Sequence, residues 1–96
     1  MSWILLAAFW ACMGPEDFEE DHNKATCALV SDCELLDQHG WASTAKCEAG
    51  VQGLPEGCES IDKAQAKLCV EGIEQMDCDD LLADAYPATC ETVCAE

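Results

Sequence analysis

Ser60-Ile61-Asp62-Lys63-Ala64-Gln65-Ala66-Lys67-Leu68-Cys69-Val70-Glu71-Gly72-Ile73-Glu74-Gln75-Met76-Asp77-Cys78 is the stretch that sets the fold class. Ala, Lys, Gln, Leu and Glu dominate it, all good helix formers, and no β-branched run interrupts it. Ile61, Leu68, Cys69 and Ile73 fall on the buried side of a helix that Ser60 can cap and that Gly72 weakens. Asp77 stands where the cap of a following helix belongs, with Leu81, Leu82 and Asp84 beyond it.

Flanking segments read the same way. Residues 24–39 carry Leu29, Cys33 and Leu36 at i, i+4, i+7, with Val30 beside them. Gly40 is the expected stop, with His39 in the last turn. Ser43 caps a short helix that holds Cys47 and ends at Gly50 or Gly53, and Leu54-Pro55-Glu56-Gly57-Cys58 reads as a turn. Tyr86-Pro87 breaks the fourth helix, and a last helical turn carries Cys90, Val93 and Cys94. Trp41 is expected as the largest piece of a small core. The expected fold is all-α, a small disulfide-rich bundle of about four short helices. Asp32-Cys33-Glu34-Leu35-Leu36-Asp37 faintly echoes Asp77-Cys78-Asp79-Asp80-Leu81-Leu82, and Cys47, Cys58 and Cys69 are evenly spaced, but neither is long enough to establish a repeat.

Composition explains why such a bundle needs cross-links. The chain has 96 residues, nine of them cysteine, with 20 acidic side chains, four Lys+Arg and a formal net charge of −16. From Cys12 onward, Leu, Ile, Val and Phe make up 14 of 85 residues. That apolar content, with this charge, is in the range of chains that fail to fold unaided. Up to four disulfides, each contributing about 2–4 kcal/mol, supply the missing stability and require an oxidising compartment. The charge argues against nucleic acid and anionic membrane surfaces as partners, since both need basic patches. The four lysines, Lys24, Lys46, Lys63 and Lys67, read as solvated helix faces.

The N-terminus reads as a leader. Residues 3–13 are an apolar run too short to span a bilayer but of signal-sequence length, and the first acidic residue is Glu16. Phe9-Trp10-Ala11-Cys12 resembles a bacterial lipobox, with a small residue at −1 and cysteine at +1; Trp10 is bulky for its place, and no Lys or Arg precedes the run. The resemblance implies a lipoprotein signal peptide over residues 1–11, lipid on Cys12 and membrane attachment through it. Parity agrees, because without Cys12 the cysteines are Cys27, Cys33, Cys47, Cys58, Cys69, Cys78, Cys90 and Cys94, an even set. Residues 12–23 then form the lipidated cysteine and an acidic, solvated tether, and residues 24–96 the stapled helical domain.

Eight cysteines allow 105 pairings. Cys27 and Cys33 on one straight helix lie about 9 Å apart along its axis and point apart, so each is expected to bond elsewhere. Cys90 and Cys94, at i, i+4, are also expected to reach across to other elements. The one specific pairing expected is Cys69–Cys78, across a helix end and the next cap.

Chemistry-bearing constellations are sparse. Asp77, Asp79, Asp80 and Asp84 invite a calcium reading, but the glycine turn and closing glutamate of a calcium loop are missing, and a helix cap with acidic first turn explains them. No Cys-x-x-Cys pair exists for zinc, an iron–sulfur cluster or disulfide exchange. His22 and His39 have no free thiolate to activate, and no phosphate loop or nucleophile elbow occurs. The chain is therefore expected to be no enzyme and to hold no cofactor.

Ala66-Lys67-Leu68-Cys69-Val70-Glu71-Gly72-Ile73-Glu74-Gln75-Met76-Asp77-Cys78-Asp79-Asp80-Leu81-Leu82 resembles small cysteine-rich lipoproteins of the myxobacterial type, with Pro87, Cys90 and Cys94 in matching places. The resemblance covers roughly residues 1–12 and 60–94; it implies an envelope location and a helical architecture and supplies no activity. The function expected is a non-catalytic, lipid-anchored extracytoplasmic interaction module for a basic or cationic partner. A freely secreted effector or inhibitor, and a calcium-binding protein, are the alternatives.

Overall fold

A computed structural model describes residues 14–95. Four α-helices and one 3-10 helix follow in order: α1 Pro15–Asp32, α2 Thr44–Gly50, α3 Lys63–Glu74, α4 Cys78–Leu82, and the 3-10 helix Ala88–Thr92. Among the described residues there is no β-sheet, only a single antiparallel bridge between Ile61 and Cys94. The fold is the expected all-α disulfide bundle.

α1 is longer than expected at its start and shorter at its end. The acidic segment read as a tether is its first half: Pro15 occupies the first helical turn, and Asp17 Oδ2 accepts from Gly14 N–H at 3.0 Å. Proline at that position loses no hydrogen bond, and Glu16 and Asp17 complement the helix dipole. The acidic run read as a tether is therefore a helix start. Phe18, His22, Thr26 and Val30, spaced four apart, are buried along α1, and Phe18 and Cys27 are wholly inaccessible.

The helix stops at Asp32, not at Gly40. Glu34 takes a left-handed conformation (φ 57°), Leu35 N–H donates to Val30 at 2.9 Å and Glu34 N–H to Ser31 at 3.0 Å. This is a Schellman stop with its usual apolar contact, since Val30 and Leu35 share a cluster with Leu81. α4 ends identically: Asp84 is left-handed (φ 58°), with Ala85 N–H donating to Asp80 and Asp84 N–H to Leu81.

The remaining boundaries follow their caps. Ser43 accepts from Lys46 N–H and starts α2. Asp62, not Ser60, caps α3, accepting from Gln65 N–H at 3.1 Å. Ser60 is engaged elsewhere, its carbonyl accepting from Ala95 N–H while Asp62 N–H donates to Val93. This pairing with residues 93–95 displaces the start of α3 by two residues and leaves Cys94 outside any helical turn. Asp77 accepts from Asp80 N–H and Asp80 from Asp77 N–H, a reciprocal capping box that starts α4.

Four disulfides join the elements: Cys27–Cys47 ties α1 to α2, Cys33–Cys78 the end of α1 to the start of α4, Cys69–Cys90 α3 to the 3-10 helix, and Cys58–Cys94 the turn before α3 to the C-terminus. The expected Cys69–Cys78 bridge does not form. Cys69 lies five residues before the end of α3, wholly buried in the core with Phe18, Leu54, Ala66, Ile73 and Val93. Cys78 lies beyond the turn, against the end of α1. The Cys33–Cys78 bridge sits just past the C-terminal ends of both α1 and α3, so these two helices run in the same direction. Trp41 is only half-buried and leans on Gly50; Phe18, from the segment read as tether, is the aromatic of the core.

Candidate binding groove

The N-terminal half of α1 is the organiser of the neighbouring loop. Asn23 Nδ2 donates to the carbonyls of Glu48 and Val51, at 3.1 and 2.9 Å, closing the C-terminal end of α2. With its amide nitrogen so committed, Asn23 Oδ1 accepts, and His22 Nδ1 is the protonated nitrogen of the 2.9 Å contact between them. Glu19 Oε2 accepts from Gly53 N–H at 3.2 Å. His22 also packs against Phe18, ring centroids 5.7 Å apart. Its role is structural, and His39 stays exposed at the far end of the α1–α2 connection.

On its other side α1 and α3 leave an open groove of about 630 Å3 between them. Ala25, Ala28 and Leu29 from α1 and Val70, Ile73 and Met76 from the α3 side form its apolar lining. Asp21, Asp32, Glu71 and Glu74 line it with carboxylates, and Lys24 and Lys67 with ammonium groups. The volume is within the range of ligand-binding clefts. The charges are not evenly spread. Lys24, Asp21 and Lys67 lie toward the N-terminal part of the groove, and Asp32, Glu71 and Glu74 toward the end where both helices terminate. Neither helix carries a basic residue in its last turn, so the partial negative charge of two helix C-termini is added to three carboxylates at that end.

Lys24 is partly spoken for. Its Nζ lies 2.9 Å from Glu20 Oε1, and that hydrogen bond holds its pKa above the usual lysine value. Loss of solvent around Asp21, reinforced by the charge of Glu20, raises the Asp21 carboxyl above the ordinary carboxylate value, against a smaller lowering by Lys24. Across α1 a smaller cavity of about 270 Å3 is lined by His22, Thr26, Val51, Gln52, Tyr86 and Cys90. Burial there, with the charge of Asp84, raises the Tyr86 phenol above its usual value.

The residues singled out for calcium do not converge on a chelating site. Asp77 and Asp80 cap α4 by bonding each other's backbone, and Asp84 forms the left-handed stop. Among the described residues no group of three or more His, Cys, Asp or Glu is arranged to hold a metal ion. Cys12 lies outside the described residues. The groove itself was not anticipated. Asp21, Ala25, Ala28 and Asp32 form an i, i+4, i+7, i+11 stripe on α1, but starting the helix at Lys24 cuts that stripe and assigns Asp21 to a tether.

Four disulfides point to an oxidising, extracytoplasmic environment. No helix among the described residues is long and apolar enough to cross a membrane. Comparison of the chain with protein-family models, with curated proteins and with solved structures returns no match.

Proposed function

We propose that this chain is a non-catalytic, lipid-anchored protein of a bacterial cell envelope that binds a basic partner. The observation that carries the anchor is cysteine accounting: all eight cysteines from Cys27 to Cys94 are consumed in pairs, which leaves Cys12, at its lipobox-like position, with no bonding role in the domain. The resemblance to small cysteine-rich lipoproteins of the myxobacterial type supports the same reading. The net charge of −16 supports a basic partner.

The start of α1 changes how such an anchor works. Two residues, Met13 and Gly14, separate Cys12 from the first helical residue, Pro15. A lipid on Cys12 therefore holds the domain directly at the headgroups, with no long acidic tether to carry it away from the surface. Intact mass of the natively expressed protein, before and after reduction with alkylation, tests the reading. The expected result is a chain starting at Cys12 with added acyl mass and eight thiols alkylated only after reduction. A chain without acyl mass in the soluble fraction would sink the anchor and favour a freely secreted effector or inhibitor.

A further inference from the structure

We infer that the groove between α1 and α3 is the docking site for a cationic amphipathic helix of a partner protein, with the partner's basic residues over the end marked by Asp32, Glu71 and Glu74. The inference deepens the basic-partner reading and rests on it.

Three observations combine. The groove has an apolar lining, Ala25, Ala28, Leu29, Val70, Ile73 and Met76, in which Ala28 is exposed, Ala25, Leu29, Val70 and Met76 are partly buried and Ile73 forms the buried floor. Alanines at i and i+3 let another backbone approach closely, and methionine and leucine adapt to a range of apolar side chains. An apolar helix face is what such a lining accepts. The groove is open, so its occupant can be a continuous segment of chain and need not be a small molecule enclosed on all sides.

Charge then selects the occupant. Four carboxylates and two lysines line the groove, and one of those lysines, Lys24, is hydrogen-bonded to Glu20. Three of the carboxylates share the end where two parallel helices terminate with no basic residue in either last turn. A helix presenting Lys or Arg there meets carboxylates and helix C-termini together. An anionic or purely apolar helix meets the same end with repulsion or with unpaired charge. The occupant must therefore be both amphipathic and cationic, with its positive residues weighted toward one end. α3 is 12 residues long, so about 14 residues of partner helix, roughly 21 Å, cover the groove.

The test uses the oxidised full-length chain and a synthetic amphipathic Leu/Lys peptide of about 14 residues, with a scrambled peptide of identical composition as control. Calorimetry at physiological salt measures affinity, and amide chemical shifts locate the contact. The expected result is 1:1 binding of the patterned peptide, about tenfold or more tighter than the scramble, with shifts along Ala25, Ala28, Leu29, Val70 and Met76. Ala28→Trp, an exposed and uncharged change that fills the groove, is expected to weaken the patterned peptide by about tenfold and leave the scramble unchanged. Asp32→Asn with Glu74→Gln is expected to weaken it more than Asp21→Asn does. Equal binding of both peptides, or shifts spread over the whole acidic surface, overturns the groove and leaves the basic-partner reading standing. Failure of both peptides to bind overturns the groove and the basic-partner reading together.

Discussion

Glu34 and Asp84 occupy a backbone conformation that glycine adopts freely and other residues reach at a cost. Each ends a helix, and each puts a carboxylate near the negative end of a helix dipole. Glu34→Gly is therefore expected to stabilise the oxidised protein by about 0.5–1 kcal/mol, measured by urea denaturation. Glu34→Gln, which removes the charge and keeps the side chain, should recover less. A neutral or destabilising Glu34→Gly would mean that the side chain makes a compensating contact. Asp21 gives a pH test. Its carboxyl is raised by partial loss of solvent, then by Glu20 and Asp17, with Lys24 opposing. The folded state thus holds the Asp21 proton more tightly than the unfolded chain. Its stabilising contribution is present below the ordinary carboxylate pKa and is lost as pH rises through the raised value. Asp21→Asn is expected to raise the melting temperature at pH 7 and leave it unchanged near pH 3; the opposite pattern in thermal melts would show that the Lys24 attraction dominates.

At the scale of elements, Gly72 shows why propensity misleads. In the last turn of α3 it looks like a weak point that alanine should repair, by up to about 1 kcal/mol. A Cβ at this position would lie 2.5 Å from Pro87 Cγ, where the chain entering the 3-10 helix crosses α3. Gly72→Ala is expected to lower stability by about 1–3 kcal/mol, read from thermal unfolding followed by circular dichroism; stabilisation would show that the Pro87 segment yields easily. Helix existence was legible in the residue pattern for α2, α3 and α4, and the caps Ser43 and Asp77 were read correctly. The start of α1 was not, because the acidic run Glu16 to Asp21 reads equally as a solvated tether and as the first turns of a helix, whose dipole favours carboxylates there. The stops at Glu34 and Asp84 were hidden because their usual signal, a glycine, is missing. The echo between residues 32–37 and 77–82 acquires a physical meaning here. Cys33 and Cys78 are bonded to each other, Leu35 and Leu81 share one cluster, and each segment contains or approaches a Schellman stop.

Across the whole molecule, 16 excess negative charges oppose a core whose buried aliphatic and aromatic side chains are few. Screening should therefore help this fold. Its melting temperature is expected to rise between about 10 mM and 500 mM sodium chloride, as the screening length shortens from about 30 to under 8 Å. A fall would mean that attractive ion pairs outweigh the repulsion. The bridges span 20, 45, 36 and 21 residues and connect every helix, so each restricts the unfolded chain substantially. Complete reduction is expected to abolish the helical circular dichroism signal at neutral pH, and re-oxidation to restore it. Retention of the signal after reduction would show that the two small cores suffice.

Fold class, the need for an oxidising compartment and the even set of eight cysteines could all be read from residue order, because they depend on composition and on local periodicity. Disulfide pairing, the inclusion of residues 15–23 in the core and the α1–α3 groove could not. Each depends on which helices lie side by side and in which direction they run. That arrangement is set by the burial of Phe18 against Leu54, Ile73 and Val93, residues far apart along the chain.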